Sequence, residues 1–262
     1  MKNNKSLGQH WLKNRGILEE IAELAANGQK GNSSDSGAYE SSENQVCLEI
    51  GPGLGALTSS LLRRFDKVVA VEFDKRLADN LPKSFPGKNL EVINDDIFKF
   101  DFSKIEAPYV VAGNIPYYIT SPIIERLLTV KNRPERIVLL IQKEVAERIL
   151  AENETMLSLF VKNLARVSQG PIVSRDEFTP PPKVDSEVIV MEPKEPEVEN
   201  EVFDLIKVGF NAPRKKLVHN LSKLKSREEL NAIFTELGLD LNARPGNLHL
   251  SDWQKLFSKI RG

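Results

Sequence analysis

The sequence of 262 residues predicts an α/β protein with a mainly parallel sheet and a small all-helical domain at its C-terminal end. Three observations lead there. Short apolar runs at 46–50, 68–72, 90–93 and 109–113 read as strands, and apolar residues at helical spacing lie between the first three, the order that builds a parallel sheet. A glycine-rich turn follows the first run directly. Beyond the polar, proline-punctuated segment 192–197, apolar residues recur only at helical spacing, so the chain divides into domains at 1–192 and 193–262. That length suffices for one sizeable core and a small second unit.

The first run and its turn are Val46-Cys47-Leu48-Glu49-Ile50-Gly51-Pro52-Gly53-Leu54-Gly55, and a helix carrying Leu57, Leu61 and Leu62 follows. Glycine permits backbone angles and close approaches that a Cβ would block. A turn of this kind at the carboxyl end of a parallel strand leaves helix N–H groups and bare backbone for a ligand. Glycine turns also occur simply to pack helix on sheet, so the pattern needs support. The next strand supplies it, because Val68-Val69-Ala70-Val71 ends in Glu72, 21 residues after Gly51, where such folds hold a ribose diol. The glycine spacing is G-x-G-x-G with Glu49 just before it, which favours S-adenosylmethionine over a dinucleotide.

Ahead of this, Lys5-Ser6-Leu7-Gly8-Gln9-His10-Trp11-Leu12 precedes a helix with Ile17, Leu18, Ile21, Leu24 and Ala25 on one face. Two readings stay open for this arm: it contributes to the ligand site, or Trp11 and Leu12 staple it to the core with His10 an incidental polar residue. From Asn27 to Asn44 the chain has almost nothing apolar and reads as a mobile loop. The strand Leu90-Glu91-Val92-Ile93 ends in Asn94-Asp95-Asp96, at the ligand edge of an open sheet. Asp95 there accepts from an adenine amino group, or one of the pair caps the following turn; alignment with the glycine turn and Glu72 favours the first.

Tyr109-Val110-Val111-Ala112-Gly113 delivers Asn114-Ile115-Pro116-Tyr117-Tyr118 to the same edge. The exocyclic nitrogen of adenine is a poor nucleophile because its lone pair is conjugated into the ring. The Asn114 side-chain oxygen and the Ile115 carbonyl can accept its two N–H bonds and help to localise that lone pair. Pro116 stiffens the turn and restricts Ile115 to extended geometry. Tyr117 offers a flat face to the base. Elsewhere such a turn with two core tyrosines would be only structural; its place after a strand gives it chemistry.

Arg136 to Gln142 is the most hydrophobic strand, near the centre of the sheet, and a helix from Lys143 to Leu150 and another with Met156, Leu159, Phe160 and Leu164 follow. Phe178-Thr179-Pro180-Pro181-Pro182-Lys183-Val184-Asp185-Ser186 is a stiff loop before a last strand at 187–191, which points to an antiparallel closure of the sheet. Phe178 either stacks on the far face of a flipped base or plugs the loop into the core. In the helical domain, eleven Lys or Arg stand against six Asp or Glu between Val202 and Gly262, and Arg214-Lys215-Lys216 is the densest cluster, the best candidate for contacting RNA phosphates.

Composition bounds the rest. Hydrophobic content of 40%, charged content of 28% and a net charge of −1 describe an ordinary soluble protein with no global sign of nucleic-acid binding. No run has the apolar length to cross a bilayer, and no hydrophobic signal core follows the basic N-terminus. A lone cysteine, Cys47, within a buried strand fits a reducing cytoplasm.

With these residues collected, the chain resembles the small-subunit rRNA adenine N6,N6-dimethyltransferases of the KsgA type over almost its whole length. The matching pieces are Leu7 to Leu12, Leu48 to Gly55, Val71-Glu72, Asp95, Gly113 to Tyr118, and Phe178 to Ser186. The resemblance implies a Rossmann-like class I methyltransferase domain with a small helical domain behind it, acting as a cytoplasmic monomer without a metal. The implied activity is dimethylation of two adjacent adenosines near the 3′ end of 16S rRNA, four transfers in all, during small-subunit assembly. By motif, His10 and Leu12 contribute to the methionine end of S-adenosylmethionine, Gly51 and Gly53 lie against it, Glu72 holds the ribose and Asp95 the adenine amino group. Asn114 sits between donor and target, Ile115 and Pro116 complete the turn, and Tyr117 and Phe178 sandwich the target adenine. The family often has Asn where His10 stands and Phe where Trp11 stands, and 27–44 is longer than the family pattern.

Two other readings compete. A large-subunit rRNA adenine dimethyltransferase of the macrolide-resistance type would share donor site and chemistry; the Pro-Pro-Lys-Val-Asp-Ser ending and Gly209 to Leu217 favour the small-subunit group. A non-catalytic assembly or transcription factor on the same fold would have no need for Glu72, Asp95 and Asn114 to Tyr117 together.

Overall fold

A computed structural model describes residues 9–26 and 45–261. The Leu7-Gly8 part of the arm motif and the polar stretch 27–44 lie outside them. Among the described residues no helix is long and apolar enough to cross a membrane.

The main sheet takes its strands from β2 (Val46–Ile50), β3 (Lys67–Glu72), β4 (Leu90–Asn94), β5 (Tyr109–Asn114), β6 (Arg136–Gln142), β7 (Ala165–Val173) and β9 (Ser186–Pro193). Their spatial order is β4-β3-β2-β5-β6-β9-β7. The five from β4 to β6 run parallel, whereas β9 is antiparallel to β6, from Ile137 opposite Met191 to Gln142 opposite Ser186. Strands buried on both faces read as continuous apolar runs, which is why β2, β3, β5 and β6 were legible from sequence. The edge strand β7 was not anticipated. Its sequence is polar with Gly170 and Pro171 inside it, and only an edge tolerates a proline that cannot donate to the ladder.

Helices α1 (Arg15–Ala26), α2 (Ala56–Leu61), α3 (Lys75–Ser84) and α4 (Thr120–Thr129) accompany this sheet. Leu18, Ile21, Ala22 and Ala25 of α1 join Leu57 and Leu61 of α2 over the β2, β5 and β6 side chains Cys47, Val110, Ala112, Val138 and Leu140. Cys47 is free and fully buried, the packing role that its strand predicts. At its start α3 is capped by Asp74, whose carboxylate accepts the Arg76 N–H at 2.9 Å. A separate ribbon of two short strands pairs β1 (Trp11–Leu12) with β8 (Phe178–Thr179), Trp11 opposite Thr179 and Leu12 opposite Phe178.

The chain forms two compact units, Met1–Ala146 with Val167–Pro193, and Glu147–Arg166 with Lys194–Gly262. The second therefore includes a segment from the middle of the sequence, carrying the second half of α5 (Lys143–Leu150) and all of α6 (Met156–Leu164), besides α7 (Asn200–Gly209), α8 (Leu217–Leu221), α9 (Arg227–Glu236) and α10 (Leu250–Arg261). Hydrogen bonds show why 147–166 belongs there. Glu154 N–H donates to the Gly246 carbonyl at 2.7 Å, and the Asn163 side-chain oxygen accepts from Glu197 and Val198 N–H, both at 2.8 Å. The buried Glu154 carboxylate accepts from Ser158 Oγ at 2.6 Å and Lys162 Nζ at 2.8 Å. Apolar residues from every helix after α5 meet in one core: Leu159, Ile206, Leu217, Leu221, Phe234, Trp253 and Leu256. Leu224, at helical spacing from Leu217 and Leu221, is nevertheless 44% exposed because α8 ends at Leu221.

Gly209 closes α7 against Trp253, and a Cβ there would overlap the indole and lie 3.0 Å from Leu217. Gly209→Ala is expected to lower the stability of the helical unit by about 1–3 kcal/mol through overpacking. Urea unfolding followed by tryptophan fluorescence checks this, and an unchanged midpoint would mean that the Trp253 ring shifts freely.

Candidate active site

The order of the strands determines where a ligand can sit. After β2 the chain lays β3 and β4 on one side, then returns to place β5 and β6 on the other, so the crossovers diverge at the carboxyl ends of β2 and β5. A crevice opens at such a switch point. Here it is a cavity of about 1070 Å³, and Glu49, Gly51, Gly53, Glu72, Asp95, Asn114, Ile115, Pro116 and Tyr117 all line it. The arm contributes His10, Trp11 and Leu12 to the same wall. Every residue expected at the donor site, together with the Asn114–Tyr117 turn, thus comes to one place.

At the glycine turn, Gly51 and Gly53 have φ of 66° and 58°, a conformation that L side chains rarely adopt. A Cβ at Gly51 would meet no protein atom within 4 Å, so the bare backbone faces open space, while one at Gly53 would lie 3.2 Å from the Trp11 indole nitrogen. Glu72 is held by two backbone donors: Gly53 N–H reaches Oε2 at 3.0 Å and Asp74 N–H reaches Oε1 at 2.8 Å. Each oxygen keeps a second lone pair, enough for a diol. Burial raises the Glu72 pKa, opposed by those same N–H groups. Asp96 Oδ1 caps the following turn by accepting from Phe98 N–H at 3.0 Å, so the local cap foreseen for one of the pair falls to Asp96, while Asp95 Oδ1 accepts from Asp96 N–H at 2.8 Å and its Oδ2 remains to accept from a ligand.

Glu49 is 1% exposed and has its pKa raised to about 8, first by burial and further by the nearby Glu72 charge. Thr58 lies against the carboxylate and offsets part of this rise, yet Glu49 Oε2 and Thr58 Oγ1 have no hydrogen-bond partner among the described residues. An unpartnered carboxylate oxygen on a cavity wall is a place for a cation. These residues fit S-adenosylmethionine: an acid for its ammonium, a carboxylate for its ribose, an acceptor for its adenine amine and uncrowded glycine backbone for close approach. Phe73, 62% exposed, with Ile97 and Phe98 adds an apolar lining that sequence reasoning missed; the only signal was their position just after Glu72 and Asp96.

Asn114 closes the opposite wall. Its Nδ2 donates to the His10 carbonyl at 3.0 Å, and because a carbonyl only accepts, this bond fixes which end of the amide is oxygen. Oδ1 is thereby left to accept. The Ile115 side chain is buried, and its carbonyl takes no hydrogen bond among the described residues. His10 Nδ1 donates to the Pro180 carbonyl at 2.8 Å, and its ring lies 6.0 Å from that of Tyr117 at 18°. The Tyr117 hydroxyl is bonded to Ser186 Oγ at 2.6 Å. His10 is accordingly no incidental residue, since it joins the arm, the Asn114–Tyr117 turn and the Pro180 loop.

Two expected residues stand differently. Phe178 is 2% exposed, packs in the core with Leu12 and Val188, and does not line the cavity. Of its two readings the structure places it as the plug, because its partner in the ribbon, Leu12, turns the same way into the core. Leu12 borders the cavity but buries its side chain, as the stapling alternative has it. Among the cluster 214–216, Arg214 and Lys215 are exposed, and Lys216 Nζ donates to Asn242 Oδ1 at 2.6 Å. Among the described residues no group of three or more His, Cys, Asp or Glu is placed to hold a metal.

The raised Glu49 value sets a pH dependence. Between its ordinary value of 4.5 and about 8, the folded carboxyl keeps a proton that the unfolded chain has lost. Stability of the unliganded protein therefore falls as pH rises through that window and levels off above it. The raised Glu72 acts with the same sign. Glu49→Gln is expected to flatten the profile and raise Tm at pH 8.5 by at least about 2 °C, while weakening donor binding. Thermal unfolding from pH 5 to 9 checks it, and parallel profiles for the two proteins would refute the assignment.

Comparison with known proteins agrees with this geometry. The family model described as "Ribosomal RNA adenine dimethylase" matches residues 1–261. A Dehalococcoides mccartyi protein named "Ribosomal RNA small subunit methyltransferase A" is 34% identical over 275 residues, covering 100% of this chain and 90% of its own. A Nostoc protein of the same name is 37% identical, covering 96% of each. Among solved structures, a dimethyladenosine transferase from Plasmodium falciparum aligns with a TM-score of 0.75 and 32% identity over 95% of this chain and 98% of its own. The 23S rRNA methyltransferase ErmE aligns with a TM-score of 0.76 and 26% identity over 96% and 100%. On a match that runs from the arm to the last helix, with a Rossmann-like sheet and the site residues gathered at its switch point, the chain belongs to the ribosomal RNA adenine dimethylase family.

Proposed function

We propose that this enzyme uses S-adenosylmethionine to dimethylate N6 of two adjacent adenosines near the 3′ end of 16S rRNA, during assembly of the small subunit in the cytoplasm. The observation that carries the reading is the fixed Asn114 amide, whose oxygen is committed to accepting at the cavity wall opposite the acid-lined donor pocket. Small-subunit specificity rests on relatives of that name at 34–37% identity along nearly the whole chain, against 26% for the 23S enzyme. The gathering of Glu72, Asp95 and Asn114 to Tyr117 in one cavity speaks against a non-catalytic factor.

The donor supplies an electrophilic methyl group on a sulfonium. Asn114 Oδ1 and the Ile115 carbonyl accept the two N–H bonds of the target amine and turn its lone pair toward the methyl carbon. As the N–C bond forms, the S–C pair returns to sulfur, and the amine afterwards loses a proton to solvent. Pre-aligned acceptors act here because they need no reorganisation as positive charge builds on nitrogen. Tyr117 bears on the face of the base and is kept in plane by Ser186. After the first transfer one N–H remains for the second, so a single constellation serves both. Domain 193–262 is the RNA-binding part, working as a monomer on the ribosomal subunit, with Arg214, Lys215 and Lys216 on phosphates.

The test is transfer from labelled donor to undermethylated small subunits and, in parallel, to large subunits, with digestion to nucleosides. Dimethyladenosine in the small subunit alone is expected; label in the large subunit would refute the assignment. Asn114→Ala should lower transfer by about a hundredfold or more, with donor affinity changed less than about tenfold, the scale of one hydrogen bond. Normal methylation by that variant would sink the mechanism. Ser186→Ala is expected to slow transfer by about tenfold, and to have no further effect in Tyr117→Phe, which lacks the hydroxyl. An equal loss in both backgrounds would show that Ser186 acts by another route.

A further inference from the structure

Tyr118 is the residue that neither donor nor target amine accounts for. It lies in the 3-10 turn Tyr117–Ile119, where three residues make one turn and successive side chains point about 120° apart. Tyr117 is fixed inward by its bond to Ser186, so its neighbour is carried round to the rim of the same cavity. There Tyr118 is 66% exposed, and its hydroxyl makes no hydrogen bond among the described residues. Two other large apolar side chains on the cavity lining are exposed, Leu54 at 47% and Phe73 at 62%. Leu54 belongs to the glycine turn and Phe73 follows Glu72, both at the donor end, which leaves Tyr118 as the open aromatic on the Asn114 side.

Resting on the function given above, we propose that Tyr118 is a second nucleobase subsite that stacks on the base next to the adenosine being methylated. The chemistry is general. A nucleotide turned into a pocket loses its stacking, and so does the base it leaves behind. A flat aromatic face at the rim, one residue along from the one inside, replaces that lost contact without reading base identity. With adjacent adenosines as targets, each takes the rim position while the other is in the cavity, so one tyrosine supports both rounds. The cavity, about 1070 Å³, stands at the upper end of the roughly 300–1,000 Å³ of small-ligand sites.

The experiment uses the full chain, undermethylated small subunits and labelled S-adenosylmethionine. Tyr118→Ala is expected to raise KM for the subunit by about five- to 150-fold, with donor affinity in calorimetry unchanged. Tyr118→Phe, which keeps the flat face, should rescue most of the loss. Subunits with an abasic site beside the methylated adenosine should be poorer substrates for the unmodified enzyme but no worse for Tyr118→Ala. A normal KM in Tyr118→Ala, or a defect that simply adds to the abasic effect, overturns the subsite while leaving the function standing. No label from the unmodified enzyme on normal small subunits overturns both.

Discussion

A parallel sheet whose crossovers diverge at one strand leaves a gap at its carboxyl end that no helix closes. In this chain the divergence falls at β2, and the strands beside it end in polar residues. Glu72 ends β3, Asn94 ends β4 and Asn114 ends β5, while β2 runs into Gly51. The pairing register aligns these ends, Ile50 opposite both Val71 and Gly113, and Glu72 opposite Asn94. A shift of one residue in any pair would turn the polar end into the core and an apolar residue into the gap. Apolar packing along the strands therefore sets the position of the chemistry at their tips.

The electrostatics follow from that constraint. Glu49 and Glu72 are both desolvated, and the Glu72 charge adds to burial in raising the Glu49 pKa to about 8. A pocket of this kind is poorly matched to phosphate and well matched to a small cation. A cationic ligand beside Glu49 favours its charged form, so binding there is coupled to release of the proton that burial keeps on it.

The sheet and the residues gathered at its edge were readable because they depend on local pattern. Buried strands are apolar runs, and Gly51, Glu72, Asp95 and Asn114 stand at their ends by simple counting. What could not be read depends on distant partners. The ribbon joining Trp11–Leu12 to Phe178–Thr179 has two residues per strand, and its pairing spans more than 160 residues of chain. Phe178 looked equally suited to a base or to the core, and only its neighbour across that ribbon decides. His10 is marked in the sequence only by the family motif Leu7 to Leu12, and its place follows from distant contacts with Asn114, Tyr117 and Pro180. The grouping of 147–166 with the C-terminal helices was hidden because α6 is an ordinary amphipathic helix whose partners lie more than 30 residues further on.

That grouping bears on how the chain is made. Strands β6 and β9 are neighbours in the sheet, but α6 and its flanking turns are synthesised between them and belong to the other unit. Neither unit can complete before the other has begun, as α6 waits with its apolar face open until α7 to α10 emerge. Units that fold in order of synthesis ordinarily leave nothing behind. Here the first must hold an unfinished piece of the second, which makes the last seventy residues a requirement for burying a helix made long before them.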